Sequence, residues 1–180
     1  IRSSSGIVLL TGQQSVGAGN AGSVTITGTG PSTISVSGRS PTTGAGSSIS
    51  TTTQGAGNGG DIALNSAETV QISNGGTVTA DSTGTGLAGN ISIAAGDQIQ
   101  MNSGSVSTRA ITSDGGNITL NAPRMIQLTD SQVTTSVESG VGAGGNINID
   151  PEALILNNSR LLANAFGGPG GNTNNTADVF

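Results

Sequence analysis

A short phrase, Gly-Gly-Asn-Ile-x-Leu or a close variant, recurs along this chain at nearly fixed intervals. Its copies centre on the glycines Gly22, Gly60, Gly89, Gly116, Gly145 and Gly171. Successive copies are therefore 38, 29, 27, 29 and 26 residues apart. A period in this range is typical of a solenoid, in which each repeat buries its apolar face only against its neighbours.

The repeat that begins at Gly116 predicts three short strands, at 117–120, 125–128 and 132–134. The first two alternate polar and apolar residues, which is the period of a strand with one buried face. Pro123 lies between them and cannot donate to a sheet ladder, so it belongs at a corner. We therefore predict an all-β fold, a parallel β-helix with three short strands per coil and coils of about 26–29 residues.

Equivalent apolar positions in successive coils are expected to stack as columns inside the helix. On the first strand these are Val24, Ile26, Ile62, Leu64, Ile91, Ile93, Ile118, Leu120, Ile147 and Ile149. On the second they are Val8, Leu10, Ile34, Val36, Val70, Ile72, Ile99, Met101, Ile126, Leu128, Leu154 and Leu156. On the third they are Val78, Val106, Val133 and Leu161.

Polar positions recur in the same way and predict stacked ladders on the outside. One ladder comprises Asn90, Asn117, Asn146 and Asn172 at the start of the first strand. A second comprises Gln71, Gln100 and Gln127 on the second strand, and a third, at the second corner, Asn74, Asn102, Asp130 and Asn158. Stacked amides can hydrogen-bond along a stack, so we interpret all three as structural rather than ligand-binding.

We expect one β-helical segment over residues 1–180, with a partial first coil at 1–21, five coils at 22–171 and a partial last coil at 172–180. The chain starts like the interior of a longer protein, and no signal peptide is visible. In the last copy, Thr173 and Asn175 replace aliphatic residues, as expected of a cap or of the ragged end of an excerpt.

Charge and composition disfavour several classes of protein. The five basic residues are all isolated arginines, whereas nucleic acid binding depends on clustered cations. No apolar run of about 20 residues is present to span a bilayer. The chain has no Cys, and a long hydrogen-bonded stack does not need disulfides.

Chemistry is equally restricted, because His, Cys, Lys, Tyr and Trp are all missing. Their absence removes His-dependent triads, thiol nucleophiles, Schiff-base lysines and imidazole or thiolate metal sites. The carboxylates considered, which fall in different strands and corners, are Asp61, Asp97, Asp114, Asp130 and Glu138. We therefore expect no catalytic residues, no cofactor and no metal site.

Three local features leave alternatives open. Asp97 and Arg124 are expected to meet on adjacent coils, where a surface ion pair is the favoured account. Gly59-Gly60-Asp61 and Asp114-Gly115-Gly116 are single instances without the period of calcium β-rolls, so only incidental calcium binding is open. The interval after Gly22 contains about ten extra residues, at 37–46, which predict an insertion at the second corner. This insertion carries one charge, Arg39, and we favour its interpretation as a solvent loop.

The repeated phrase, the Asn-rich corners and the stretch from Leu154 to Gly171 resemble the filamentous-haemagglutinin-like exoproteins of Gram-negative bacteria, and cyanobacterial versions most. The resemblance covers about Gly19 to Phe180. It implies a right-handed β-helix secreted through an outer-membrane barrel by a two-partner system. It further implies an extracellular, rod-like adhesin or matrix protein. The Asn-Pro-Asn-Gly mark of the family's secretion domain is not in this sequence.

The expected function is therefore a structural and adhesive segment of a secreted rod that supports cell adhesion or biofilm cohesion. Its expected partners are further β-helix coils of the same or identical chains, surface glycans or neighbouring cell surfaces, and the secretion barrel. The alternatives are a filament subunit joined end to end, a carbohydrate-active β-helix enzyme and an ice-binding protein. Two carboxylates on one face would favour the enzyme, and Thr-x-Thr ladders on the third strand would favour ice binding.

Overall fold

The structure is a computed structural model that describes residues 8–10 and 18–177, and within these residues it contains strands and no helix. Sheet 1 is formed by Val24–Thr27 (β2), Ile62–Ser66 (β5), Ile91–Ala95 (β8), Ile118–Asn121 (β11), Ile147–Asp150 (β14) and Thr173–Asn175 (β17). Sheet 2 is formed by Thr33–Ser37 (β3), Thr69–Ser73 (β6), Gln98–Asn102 (β9), Met125–Thr129 (β12) and Ala153–Asn157 (β15). Sheet 3 is formed by Val8–Leu10 (β1), Ser48–Thr53 (β4), Thr77–Ser82 (β7), Ser105–Ala110 (β10), Gln132–Val137 (β13) and Arg160–Ala165 (β16).

All strand pairs within the three sheets are parallel, and each strand inside a sheet pairs with its equivalents in the coils before and after it. The result is a right-handed β-solenoid of about five turns of about 28 residues, with three strands per coil. This confirms the predicted fold. Parallel strands need a long crossover, and here the other two sides of each coil provide it.

The register places identical positions of the repeat on top of one another. Ile118 pairs with Ile91 on one side and with Ile147 on the other. The corresponding residue of sheet 2, Ile126, pairs with Ile99 and Leu154. Such stacking aligns the inward side chains of adjacent coils, so an aliphatic column on each sheet runs along the axis.

The core consists of these columns, and most residues assigned to them lie in it. Those that are buried are Val24, Ile34, Val36, Ile62, Leu64, Val70, Ile72, Val78, Ile91, Ile93, Ile99, Met101, Val106, Ile118, Leu120, Ile126, Leu128, Val133, Ile147 and Ile149. Ile26, Leu154 and Leu161 are partly buried against the same cluster. The aliphatic residues therefore form one continuous core rather than a separate core for each coil.

The prediction that Leu156 lies in the core is wrong, because this residue is 45% exposed. It lies on β15, the last strand of sheet 2, so no further strand of the described chain covers it. Thr173 and Asn175 on β17 are also exposed, so their polar side chains are not desolvated. The aliphatic columns thus open to solvent at this end of the solenoid.

A second correction concerns Val8 and Leu10, which were assigned to the second strand. The structure pairs β1 with β4, so these residues belong to sheet 3. The strand β4 was not predicted from the sequence, and its Ile49 is the buried residue aligned with Val78. A polar–apolar alternation gives the buried face of a strand but not the side of the coil to which that strand belongs.

Sheet 3 has longer strands than predicted, and its extra inward positions are polar or small except for Val137. Thr108 and Thr135 are fully buried. Their hydroxyls donate to the carbonyl oxygens of Gly116 and Gly145, at 2.7 and 2.6 Å respectively. A buried hydroxyl needs a partner, and here it ties the end of the third strand to the beginning of the next first strand.

The repeated glycines are required by close contact between coils rather than by unusual dihedral angles. A Cβ added at Gly116 would lie 1.9 Å from the carbonyl oxygen of Gly89, and one at Gly145 would lie equally close to that of Gly116. At Gly22, where no described coil precedes, a Cβ would meet nothing within 4 Å. The glycine of the phrase thus allows one coil to rest on the backbone of the preceding one.

The extra residues of the first full interval lie between β3 and β4, at the predicted second corner. They form an inserted loop, residues 38–46, in which Arg39 and Gly46 make an isolated antiparallel bridge. The amide of Ser40 donates to the carbonyl of Ala45 at 2.8 Å, which closes the loop further. The insertion projects from the corner while β3 and β4 keep their places in the stack.

Candidate functional site

The asparagine ladder is built mainly from side chain to backbone hydrogen bonds. The Oδ1 atoms of Asn90, Asn117 and Asn146 accept the backbone amide of the equivalent asparagine one coil later, at 2.9, 2.8 and 2.9 Å. Asn172 is the last residue of this series; before Asn90, Asp61 accepts the amide of Asn90 at 2.8 Å, and Ser23 Oγ accepts the amide of Asp61 at 3.3 Å. The ladder therefore satisfies amides that lie just before each first strand.

The glutamine ladder behaves differently. Gln71, Gln100 and Gln127 lie in register on the outer face of sheet 2. Within the described chain no side-chain hydrogen bond joins them, so they are stacked neighbours without a bonded amide ladder.

The corner ladder needs one correction, because its second member is Ser103 rather than Asn102. Asn74, Ser103, Asp130 and Asn158 all have positive φ, between 47° and 54°. Asn102 instead ends β9 and pairs with Ser73 and Thr129. Asn and Asp tolerate this left-handed conformation better than most residues, which explains their recurrence at the corner.

The outer face of sheet 3 carries an ionic cluster that the sequence argument missed. Arg109 on β10 contacts the carboxylate of Asp81 on β7 at 3.6 Å and that of Glu138 after β13 at 3.3 Å. The two carboxylates thus lie on one face, contrary to the expectation that the acidic residues scatter. Asp81 was not among the acids considered; the signal was the alignment of Asp81 with Arg109 along the third strand.

In this cluster a single arginine lies between the two carboxylates. A glycosidase needs one carboxyl that holds a proton and a second that is free to act as nucleophile or base. Here the same guanidinium contacts both carboxylates. The cluster also interrupts the hydroxyl face formed by Ser105, Ser107 and their neighbours on sheet 3.

Burial raises the pKa of Asp81 above its ordinary value of 3.8, and this effect exceeds the lowering by the Arg109 charge. Its Oδ1 atom is buried without a hydrogen-bond partner. By contrast, the salt-bridge hydrogen bond from Arg124 lowers the pKa of the exposed Asp97. Arg124 Nε and Nη2 donate to the two Asp97 oxygens at 2.5 and 2.6 Å, which confirms the expected surface ion pair.

These opposite shifts predict opposite effects of pH in two matched variants. Folding raises the pKa of Asp81, so its contribution to the free energy of unfolding falls as pH rises through 3.8 to the folded-state pKa. Asp81→Asn should therefore gain stability relative to the native chain as pH rises. Asp97→Asn should lose stability relative to the native chain as pH rises from the folded-state pKa of Asp97, which lies below 3.8, to 3.8, because the ion pair forms only when Asp97 is ionised.

Urea denaturation followed by circular dichroism, at a series of pH values from about 2 to 7, measures both slopes. The same sign of slope in the two variants would contradict the assignment of the two shifts.

A trough runs beside the inserted loop at the second corner, and we call it the corner trough. Its volume is about 590 Å³. It is lined by four successive coils, which contribute in the order of the stack Arg39 and Gly46, then Gly75, then Gly104, and at the far side Asp130 and Gln132. The lining consists of polar side chains and exposed backbone, with Ala45 as the one apolar side chain.

Large exposed apolar side chains lie near the open end of the solenoid. Ile155 and Leu156 on β15 are 44% and 45% exposed, and Phe166 after β16 is 77% exposed. β15, β16 and β17 each form the last strand of their sheet, so their outer edges are unpaired within the described chain. An unpaired edge with apolar side chains is a surface to which another strand can add.

Among the described residues, no three of Asp, Glu, His or Cys lie close enough together to hold a metal ion. Nor does this part of the chain contain a helix that could span a membrane. Comparisons of the chain with family models, with curated proteins and with solved structures found no match.

Proposed function

We propose that this chain is a structural and adhesive segment of a secreted, rod-like bacterial surface or matrix protein. The observation that supports this proposal is the continuous stack of parallel coils, whose core and backbone ladders run unbroken from one coil to the next. Such a stack is extended along one axis and gains length by adding coils, without any change in cross-section. Those properties suit a spacer that holds contact surfaces away from a cell.

The proposed adhesive contact comes from loops and outward side chains, because the inward ones are used by the core. The three outer faces carry repeated hydroxyl and amide groups at the spacing of the coils, about 4.8 Å. Each such group contributes little by itself. Repetition along the rod, and of rods on a surface, converts weak contacts into strong attachment.

A bead assay tests the adhesive proposal. Beads coated with the purified chain should adhere to bacterial cells or to biofilm matrix more strongly than beads coated with the heat-denatured chain, because the contact surface depends on the stacked coils. Attachment no greater than that of albumin-coated beads would refute the adhesive role.

The open end favours a second candidate function, a filament subunit joined end to end. Leu154, Leu156 and Leu161 lie where the aliphatic columns open, beside three strand edges that no other strand of the described residues pairs. A coil from a second copy would bury these side chains and pair those edges. Sedimentation at increasing protein concentration distinguishes the two candidates: particles that lengthen with concentration support the filament, and one constant species supports the segment of a longer rod.

A further inference from the structure

The inserted loop is held against the corner of the next coil and forms a defined wall of the corner trough. Its bridge between Arg39 and Gly46 is supplemented by a hydrogen bond from Arg39 Nη1 to the carbonyl of Gly44, at 3.3 Å. Gly46 rests directly on Gly75, since a Cβ at Gly46 would lie 1.9 Å from the Gly75 carbonyl oxygen. The trough is therefore bounded by contacts within the fold.

Arg39 brings a positive charge into this trough that no carboxylate in the described chain neutralises. Arg109 and Arg124, by comparison, each contact at least one carboxylate. The guanidinium of Arg39 lies over the backbone of Gly75, where a Cβ would come within 2.5 Å of its Nε. Gly75 thus leaves room for the guanidinium, and four of its five N–H donors are not used by the Gly44 contact.

The rest of the lining offers hydroxyl, amide and carboxylate groups. Ser103, Ser105 and Thr77 present hydroxyl groups, and Gln132 presents an amide. The Asp130 carboxylate at the far side disfavours a second anionic group there and can accept hydrogen bonds from ligand hydroxyls. A ligand that fits this lining is rich in hydroxyl groups and carries an anionic group at the Arg39 end.

We propose that the corner trough binds a saccharide that carries a carboxylate, with Arg39 binding the carboxylate through its planar guanidinium. The trough volume lies within the usual range for small-molecule sites, roughly 300–1,000 Å³. A peptide ligand fits less well because the lining offers no apolar pocket for side chains. The inference rests on the proposed adhesive function, for which it supplies one contact site and a ligand class.

Calorimetric titration of the whole chain with an oligogalacturonate, and with the neutral galactose oligomer of the same length, tests the proposal. The acidic oligomer should bind and the neutral one should bind at least tenfold more weakly. Arg39→Gln should weaken binding of the acidic oligomer roughly tenfold or more, because a charge-assisted hydrogen bond is lost. Arg124→Gln removes the same charge at a different corner and should leave binding unchanged.

Three outcomes would overturn the proposal. They are no binding of the acidic oligomer to the native chain, equal loss in the two arginine variants, and equally tight binding of a short peptide with a free carboxylate. Circular dichroism of each variant shows that the coils remain folded. A failure here with normal bead adhesion would remove the saccharide site alone, whereas loss of bead adhesion would remove the adhesive function itself.

Discussion

Replacing Gly116 by alanine is expected to lower the free energy of unfolding by about 1–3 kcal/mol, whereas the same change at Gly22 should leave it unchanged or raise it by up to about 1 kcal/mol. The two glycines occupy equivalent places in the repeated phrase. A Cβ at position 116 would collide with the Gly89 carbonyl oxygen, a backbone atom that cannot rotate away. At Gly22 the new methyl group would meet nothing within 4 Å.

The comparison separates steric contact between coils from the ordinary effect of replacing glycine. Alanine restricts the unfolded chain and by itself stabilises a folded protein by about 0.4–1 kcal/mol where the backbone permits it. Gly22→Ala should show that small gain or no change. Urea denaturation followed by circular dichroism measures both variants, and equal losses would show that contact with the preceding coil is not what requires glycine.

Truncating Leu120 to alanine should lower the free energy of unfolding by about 2–5 kcal/mol. Leu120 is fully buried, with Ile93 and Ile149 as its strand partners in the adjacent coils. The change removes apolar contacts with two coils at once and leaves a cavity in the middle of a column. The neighbouring coils cannot close the cavity because their backbones are fixed by the sheet ladders.

Leu156→Ala is the matched control, since it removes the same atoms from a residue that is 45% exposed. It should cost less than about 1 kcal/mol. The midpoint of urea denaturation compares the two variants. A loss of stability in Leu156→Ala as large as that in Leu120→Ala would contradict the burial of Leu120 and the exposure of Leu156. If the chain forms the proposed filament, the stability lost in Leu156→Ala should increase with protein concentration, because a second copy would cover Leu156.

The period of the chain and the alternation within each strand were sufficient to predict the three-sided parallel fold and most of the aliphatic core. Ile118 and Leu120, for example, follow directly from the two-residue period of a strand. The inward threonines were not predicted, because Thr108 and Thr135 are polar and their burial depends on glycine carbonyls supplied by the following coil. Each of these carbonyls lies only 8 or 10 residues further along the chain, across a loop whose path the repeat pattern does not give.

The candidate sites were harder to predict because their residues come together only through the pairing of strands in adjacent coils. Asp81 and Arg109 are 28 positions apart in sequence and become neighbours only through the pairing of β7 with β10. Asp97 and Arg124 were found because both precede a clear second strand, so their register could be counted. The position of the insertion was predicted, yet the trough was not, because its walls come from Arg39 and from corners of later coils.

The pairing of every described strand only with equivalents one coil away has a consequence for how the molecule is made. The strands of a coil form their sheet contacts only with the adjacent coils and not with distant parts of the chain. Roughly thirty new residues are therefore enough to complete the next turn against the last one. Folding can therefore proceed coil by coil from one terminus while the rest of the chain is still unfolded. A protein built in this way can grow longer in evolution by duplicating a single turn, since each added turn brings its own template for the next.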